Sequence, residues 1–185
     1  MNKSNFKNFS VPCPVVLIGM MGAGKTSVGQ ALAGLLSVPF FDSDAEIEST
    51  TGRSVSQIFS DSGETEFRRL ERQAVERLLD RGPCVLSLGG GAFMDEYTRN
   101  HIKKRAFSVW LKVDKRILLN RVLHQGARPL LKGYDPAEKL EQLLIERTPV
   151  YAKADLTSLC NDRPVADNAR QIMTELQAAL KSQTA

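Results

Sequence analysis

Residues 14–26 read PVVLIGMMGAGKT, an apolar run that passes without a break into the pattern GxxxxGKT. The run suits a buried strand, and the glycine-rich octet after it is a phosphate-binding loop. Its glycines let the backbone turn tightly and aim successive N–H groups into one concavity that no Cβ obstructs. Lys25 brings a full positive charge to the β and γ phosphates of a nucleotide, and the Thr26 hydroxyl suits a Mg2+ ion. Beyond the loop, Val28, Leu32, Leu35 and Leu36 recur at helical spacing. A helix over 26–36 therefore starts at the anion, with the positive end of its dipole facing it.

Working outward, short apolar runs suited to buried strands recur at 14–18, 39–41, 84–88, 107–113 and 155–160. Helix-patterned segments separate them, at 64–80 (with Ser62 as its cap and Gly82 and Pro83 as its stop), 95–104, 114–124, 136–146 and 165–180. This alternation predicts an α/β fold: a five-stranded, mainly parallel sheet flanked by helices, with the ligand site at the carboxyl ends of the strands. At 185 residues, with no repeat, linker or low-complexity tract, the chain reads as a single domain, 1–185, with flexible residues at 1–10. Residues 125–135, QGARPLLKGYD, form a loop longer than most connections. Two uses stay open for it: a lid that brings Arg128 to the transferring phosphate, or an ordinary surface loop.

Composition narrows the function. The longest uncharged stretch, residues 9–24, is 16 residues long and holds two prolines and three glycines, so it should not span a bilayer. Residues 1–10 lack the apolar middle of a signal peptide, and a cytoplasmic protein follows by elimination. Cys13, Cys84 and Cys160 are far apart and make neither a CxxC pair nor a zinc spacing, so reduced thiols are expected. The formal net charge of +4 suits an anionic small molecule. Aromatic residues make up 6% of the chain and do not alternate with basic ones, so no nucleic-acid partner is expected. His101 and His124 are the only histidines, and neither GxSxG nor HExxH occurs, so covalent hydrolase and zinc-protease chemistry lack support. Phosphoryl transfer needs neither, because alignment and charge neutralisation do most of the work.

Three further groups can choose the acceptor. Asp42 and Asp44 flank Ser43 at the end of the second strand run, where alternate residues share a side. Asp42 can hold Mg2+ through water while Asp44 accepts a substrate hydroxyl and its proton; alternatively Ser43 or Asp44 caps a helix over 45–50. Gly89, Gly90 and Gly91 follow another buried run, which suits a close approach of backbone to ligand, or else a flexible turn. Arg68, Arg69, Arg121, Arg128 and Arg147 supply guanidinium groups able to bind carboxylate or phosphate in a bidentate manner, although any one of them can equally be a surface charge.

The set GMMGAGKT, FFDSD, GETEFRR, LSLGGG, ARPLL and ERTPVY, in this order and spacing over residues 15–151, closely resembles the shikimate kinase family. The resemblance implies a P-loop kinase of the nucleoside monophosphate kinase type, with a lid loop at 125–135 and a substrate-binding region at 43–81. It also implies ATP and Mg2+ as cofactors, transfer to the 3-hydroxyl of shikimate on the route to chorismate and the aromatic amino acids, and a monomer with no membrane partner. Carried over by position, Gly22, Ala23, Gly24, Lys25, Thr26 and Ser27 bind the ATP phosphates, with Arg128 from the lid, Arg121 near adenine and phosphates, and Arg163 loosely matched to the adenine loop. Lys25, Asp44 and Arg128 are the implied catalytic groups. Asp44, Arg68, Gly90, Gly91 and Arg147 are the implied shikimate ligands, and Thr26 and Asp42 (through water) those of the metal. Glu71 matches an acid that steadies Arg68, and Val55, Phe59 and Phe67 match apolar contacts to the ring. The resemblance leaves three alternatives to exclude: another small-molecule kinase of the same fold such as a gluconate kinase, a GTPase, for which NKxD and DxxG are missing, and a nucleic-acid-dependent ATPase.

Overall fold

A computed structural model describes residues 9–124 and 135–183. Five parallel strands form one sheet: β1 (Val15–Ile18), β2 (Phe40–Asp42), β3 (Val85–Ser87), β4 (Phe107–Val113) and β5 (Leu156–Cys160). Their order is β2-β3-β1-β4-β5. The central strands β1 and β3 are buried along their whole length, as apolar runs covered on both faces should be. At the edge, β5 buries Ser158 and Cys160 while Thr157 and Leu159 face solvent, the period of two expected of a half-covered strand.

The helices are α1 (Lys25–Leu36), α2 (Ser43–Thr51), α3 (Val55–Leu79), α4 (Glu96–Arg105), α5 (Lys115–His124), α6 (Pro136–Tyr151) and α7 (Val165–Gln183), with one 3-10 turn at Ala92–Met94. None of the described helices is long and apolar enough to cross a membrane. The main core surrounds β1, β3 and β4, and Phe9 already packs against it. A separate small core of Ile47, Ile58, Phe67 and Ala74 joins α2 to α3, whose later residues Val75, Leu78 and Leu79 belong to the main core.

Two helices depart from the sequence expectation. Helix α3 starts at Val55 rather than at 64, because Ser54 and Gln57 form a reciprocal capping box. Ser62 does not cap it; its hydroxyl accepts from Arg53 instead. The run is broken internally at Gly63 (φ 78°, ψ 177°), a conformation open essentially to glycine alone. Helix α6 continues past Glu146 through Pro149 to Tyr151, because Leu140, Leu143, Arg147 and Tyr151 make one buried stripe whose packing outweighs the hydrogen bond that proline removes.

Parallel register decides where the chemistry sits. Leu17 and Asp42 both pair with Ser87, so β1, β2 and β3 end side by side. The segments that leave them, the phosphate-binding loop, the Asp42–Asp44 corner and Gly89–Gly91, emerge at one edge next to the reversal of strand order about β1.

Candidate active site

The phosphate-binding loop is closed by Ala23 N–H donating to Met20 O at 3.1 Å, and Val28 N–H donates to Gly24 O at 2.9 Å as α1 begins. Gly24, at φ 84°, turns the chain from loop into helix. Lys25 Nζ donates to the carbonyls of Gly19 (2.9 Å) and Met20 (3.1 Å), which keeps the ammonium folded over the loop. Thr26 Oγ1 donates to Asp42 Oδ2 at 3.1 Å. Asp42 Oδ1 accepts from Asp44 N–H at 3.0 Å and Ala45 N–H at 3.4 Å. Asp42 is thus itself the cap of α2, in place of Ser43 or Asp44, and it faces Thr26 as well: the capping and metal-side readings meet in one carboxylate. A hydroxyl and a carboxylate are the hard oxygen donors that Mg2+ takes, and the two line a cleft of about 400 Å³.

Asp44 turns away from Asp42 toward the glycine run. A methyl group placed on Gly89 would lie 2.8 Å from both Asp44 Oδ1 and Glu71 Oε1. One placed on Gly91 would lie 2.6 Å from both terminal nitrogens of Arg68, and one on Gly90 would lie 3.2 Å from Arg147 Nη1 and 3.6 Å from Gly19 O. The three glycines are therefore the floor on which four charged side chains converge, and no Cβ could be accommodated at Gly89 or Gly91 without moving one of them. Space beside Gly90 is thus bounded by the phosphate-binding loop as well, so the two halves of the predicted site adjoin.

Each arginine has its own support. Arg68 Nη1 donates to Glu71 Oε2 at 2.7 Å, while its Nε and Nη2 donate to Glu64 Oε1 at 3.2 and 3.0 Å. Glu64, Arg68 and Glu71 share a helical face at spacings of four and three. Arg68 also lies over the Phe67 ring, 5.4 Å from its centroid. Arg147, only 6% exposed, donates to Gly90 O at 3.0 Å, and Tyr151, four residues on, donates its hydroxyl to the same oxygen. Among the described residues, five buried side-chain polar atoms lack a hydrogen-bond partner; Ser158 Oγ and Glu175 Oε2 lie on β5 and α7, and the other three, Asp44 Oδ1, Glu71 Oε1 and Arg147 Nε, belong to this cluster.

Burial pushes the Asp44 carboxyl up to about 6, with Asp42 adding to the rise against the downward pull of Lys25. Burial likewise takes Glu71, 3% exposed, up to about 7 in spite of its ion pair with Arg68, and Asp44 contributes to the rise. Against the penalty of burial, Glu71 and then Glu64 hold Arg68 above its ordinary value, so it remains a cation.

On the nucleotide flank, Arg121 Nη1 donates to Gly22 O at 3.2 Å and Nη2 to Asp162 Oδ1 at 2.9 Å. Arg163 donates to the Gln171 side chain on α7, so the residue that reaches Arg121 from this loop is Asp162. Arg128 and residues 125–134 of the expected lid lie outside the described residues. Asp135 caps α6 through Ala137 and Glu138 N–H. Val55 and Phe59 pack on the small core with Phe67, and the Phe59 and Phe67 rings lie 4.5 Å apart.

Sequence reasoning gave no site role to Glu64, Tyr151 or Asp162, and took Ser43 only as a candidate helix cap. Ser43 is fully buried and accepts from Gly89 N–H at 2.9 Å, pinning the glycine run to the β2–α2 corner. A signal existed for Glu64 in its i, i+4 spacing to Arg68, and for Tyr151 in its i, i+4 spacing to Arg147; Ser43, held by a partner 46 positions away, had none.

The profile of the shikimate kinase family matches residues 21–181. The chain belongs to the shikimate kinase family. It is 55% identical to a shikimate kinase of Cereibacter sphaeroides over 142 residues, 77% of this chain and 71% of that one. It is 47% identical to a shikimate kinase of Rhodopseudomonas palustris, over 90% of this chain and 80% of the relative. Among solved structures, a shikimate kinase from Acinetobacter baumannii in complex with shikimate superposes with a TM-score of 0.87 at 37% identity, covering 92% of this chain and 96% of the other. A gluconokinase from Sinorhizobium meliloti, at 20% identity and a TM-score of 0.63 over 95% and 98% of the two chains, shares the fold. Membership makes this protein a P-loop kinase of an alcohol group that uses ATP and Mg2+ to phosphorylate shikimate, a step of aromatic amino acid biosynthesis.

Proposed function

We propose that the reaction takes place where Gly90 bridges the phosphate-binding loop and the acceptor cluster, and that it delivers the γ-phosphoryl group of ATP to the 3-hydroxyl of shikimate. The single observation that carries this reading is the place of Gly90: its carbonyl accepts from Arg147 at 3.0 Å, and a methyl group placed on it would lie 3.6 Å from Gly19 O, so the anion cradle and the acceptor side adjoin at this residue. Backbone N–H groups from Gly22 to Ser27 hold the phosphates, and Lys25 neutralises the charge that develops on the transferring group. Thr26 and, through water, Asp42 would hold Mg2+, which would supply charge neutralisation at the phosphates.

On the acceptor side, Arg68 and Arg147 grip the carboxylate, with Gly90 and Gly91 lining the same wall. Planar guanidinium groups suit this because each offers paired donors, and both are oriented beforehand by carboxylate or carbonyl partners. Asp44 accepts the hydroxyl through its unpartnered Oδ1, orients it and takes its proton. At about 6 its carboxyl is ionised at neutral pH while staying close enough to that pH to receive a proton. Holding hydroxyl and phosphoryl group together is where most of the rate gain arises. Arg128 completes the set from the lid, Arg121 serves the adenine and phosphate flank, and Arg163 serves the adenine loop.

The test is release of ADP from ATP and Mg2+ with shikimate, compared with gluconate, nucleoside monophosphates and water. Turnover with shikimate alone, and a product phosphorylated at the 3-position by 31P and 1H NMR, is the expected result. Comparable turnover with gluconate would overturn the assignment of the acceptor cluster.

A further inference from the structure

Asp162 lies in the loop between β5 and α7, and its carboxylate is not explained by the fold. It is exposed, it caps no helix, and its ion pair reaches 41 positions back to Arg121. That arginine is only 24% exposed at its side chain, and its other terminal nitrogen is held by Gly22 O in the phosphate-binding loop. The guanidinium is thus fixed along two edges, one by the cradle and one by Asp162. The loop carrying Asp162 is itself fixed: Asn168, 4% exposed, accepts from Asn161 N–H at 3.3 Å and donates to the carbonyls of Asn161 (3.1 Å) and Arg163 (3.4 Å), bracketing Asp162 on both sides. A buried asparagine spending three hydrogen bonds on one short loop indicates that the position of that loop matters.

We propose that Asp162 is a positioning residue for the nucleotide: it holds Arg121 extended across the phosphate-binding loop, ready for the adenine and phosphate flank of ATP, and Asn168 holds Asp162. The inference rests on the reading of Arg121 as an ATP-binding residue. An arginine free to rotate loses side-chain entropy when it binds a ligand, and one already held along two edges loses less. Paired with Arg121, the carboxylate also presents no net charge to the incoming polyphosphate, which an isolated aspartate would repel. Because the pair is partly exposed, the effect is modest.

The experiment is a double-mutant cycle on Mg2+-ADP affinity by calorimetry, with kcat and both KM values from the coupled assay. Asp162→Asn should weaken Mg2+-ADP and raise KM for ATP about threefold to fivefold, with kcat and KM for shikimate unchanged, and Asp162→Glu should restore most of the loss. In an Arg121→Ala background, Asp162→Asn should add nothing. Asn168→Ala should move nucleotide affinity in the same direction. Unchanged or tighter nucleotide binding in Asp162→Asn while Arg121→Ala weakens it, or additive losses in the cycle, would overturn the role of Asp162. An Arg121→Ala variant that binds Mg2+-ADP normally would overturn it at a different point, the assignment of Arg121 itself.

Discussion

The nucleotide side and the acceptor side of this pocket are built on opposite plans. The nucleotide side is made mainly of consecutive backbone: eight residues in one turn, with a single lysine folded over them. The acceptor side is made of side chains drawn from α2, α3 and α6, converging on three glycines after β3. Backbone donors recognise any phosphate and need little support beyond the turn itself. The side-chain charges proposed to recognise one carboxylated alcohol need positioning from elsewhere in the chain: Glu64 and Glu71 hold Arg68, and the Gly90 carbonyl holds Arg147. The general half of the site is therefore local in sequence, and the specific half is distributed.

This contrast can be broken first at Lys25. Lys25→Ala should lower kcat by at least about a hundredfold in the coupled assay, because it removes charge stabilisation at the transferring phosphoryl group. A loss of only a few-fold would mean that the cradle binds the nucleotide without aiding transfer. Next, Arg147→Ala should weaken shikimate binding about tenfold to a hundredfold, the scale of a hydrogen bond to a charged group, and leave Mg2+-ADP affinity alone. Equal losses for both ligands in calorimetry would erase the distinction between the two sides.

Smaller effects sharpen the acceptor side. Gly63→Ala forces a side chain into a backbone conformation reserved for glycine and should cost about 1 to 3 kcal/mol in urea unfolding. If shikimate affinity falls with it, the break in α3 is what aims Arg68. Glu71 gives a pH signature. Its carboxyl has an ordinary value of 4.5 and stands at about 7 in the folded chain, so the folded state holds a proton that the unfolded state has released. Its stabilising contribution is complete below 4.5 and is lost as pH rises through 7. Thermal melts between pH 4.5 and 7 should therefore show Glu71→Gln with a weaker decline in stability than the parent. An unchanged slope would assign the decline to other groups, Asp44 among them.

How much of this was legible follows the same division. The loop, the five strands and the α/β order could be read from residues 14–26 and the recurring apolar runs, since buried strands write themselves as continuous stretches. The start of α3 was also legible: Ser54 and Gln57 spell a capping box, but the SDSGE turn at Gly63 drew the boundary to itself. The expectation for α6 stopped at 146, and only the buried stripe of Leu143, Arg147 and Tyr151 shows that packing carries the helix on through Pro149. The glycine run was read as an approach of backbone to ligand or as a flexible turn. Its tightest neighbours are instead the charged side chains of Asp44, Arg68, Glu71 and Arg147, a convergence that no local pattern contains.

The central claim is that the carboxylate grip of Arg68 and Arg147 sets the acceptor in line with the phosphoryl group above the glycine floor. Its most direct test is kcat/KM for shikimate against the carboxamide analogue, in the parent chain and in Arg147→Ala. The account predicts that the parent prefers the carboxylate strongly and that Arg147→Ala loses most of that preference. Full discrimination persisting in Arg147→Ala would contradict it.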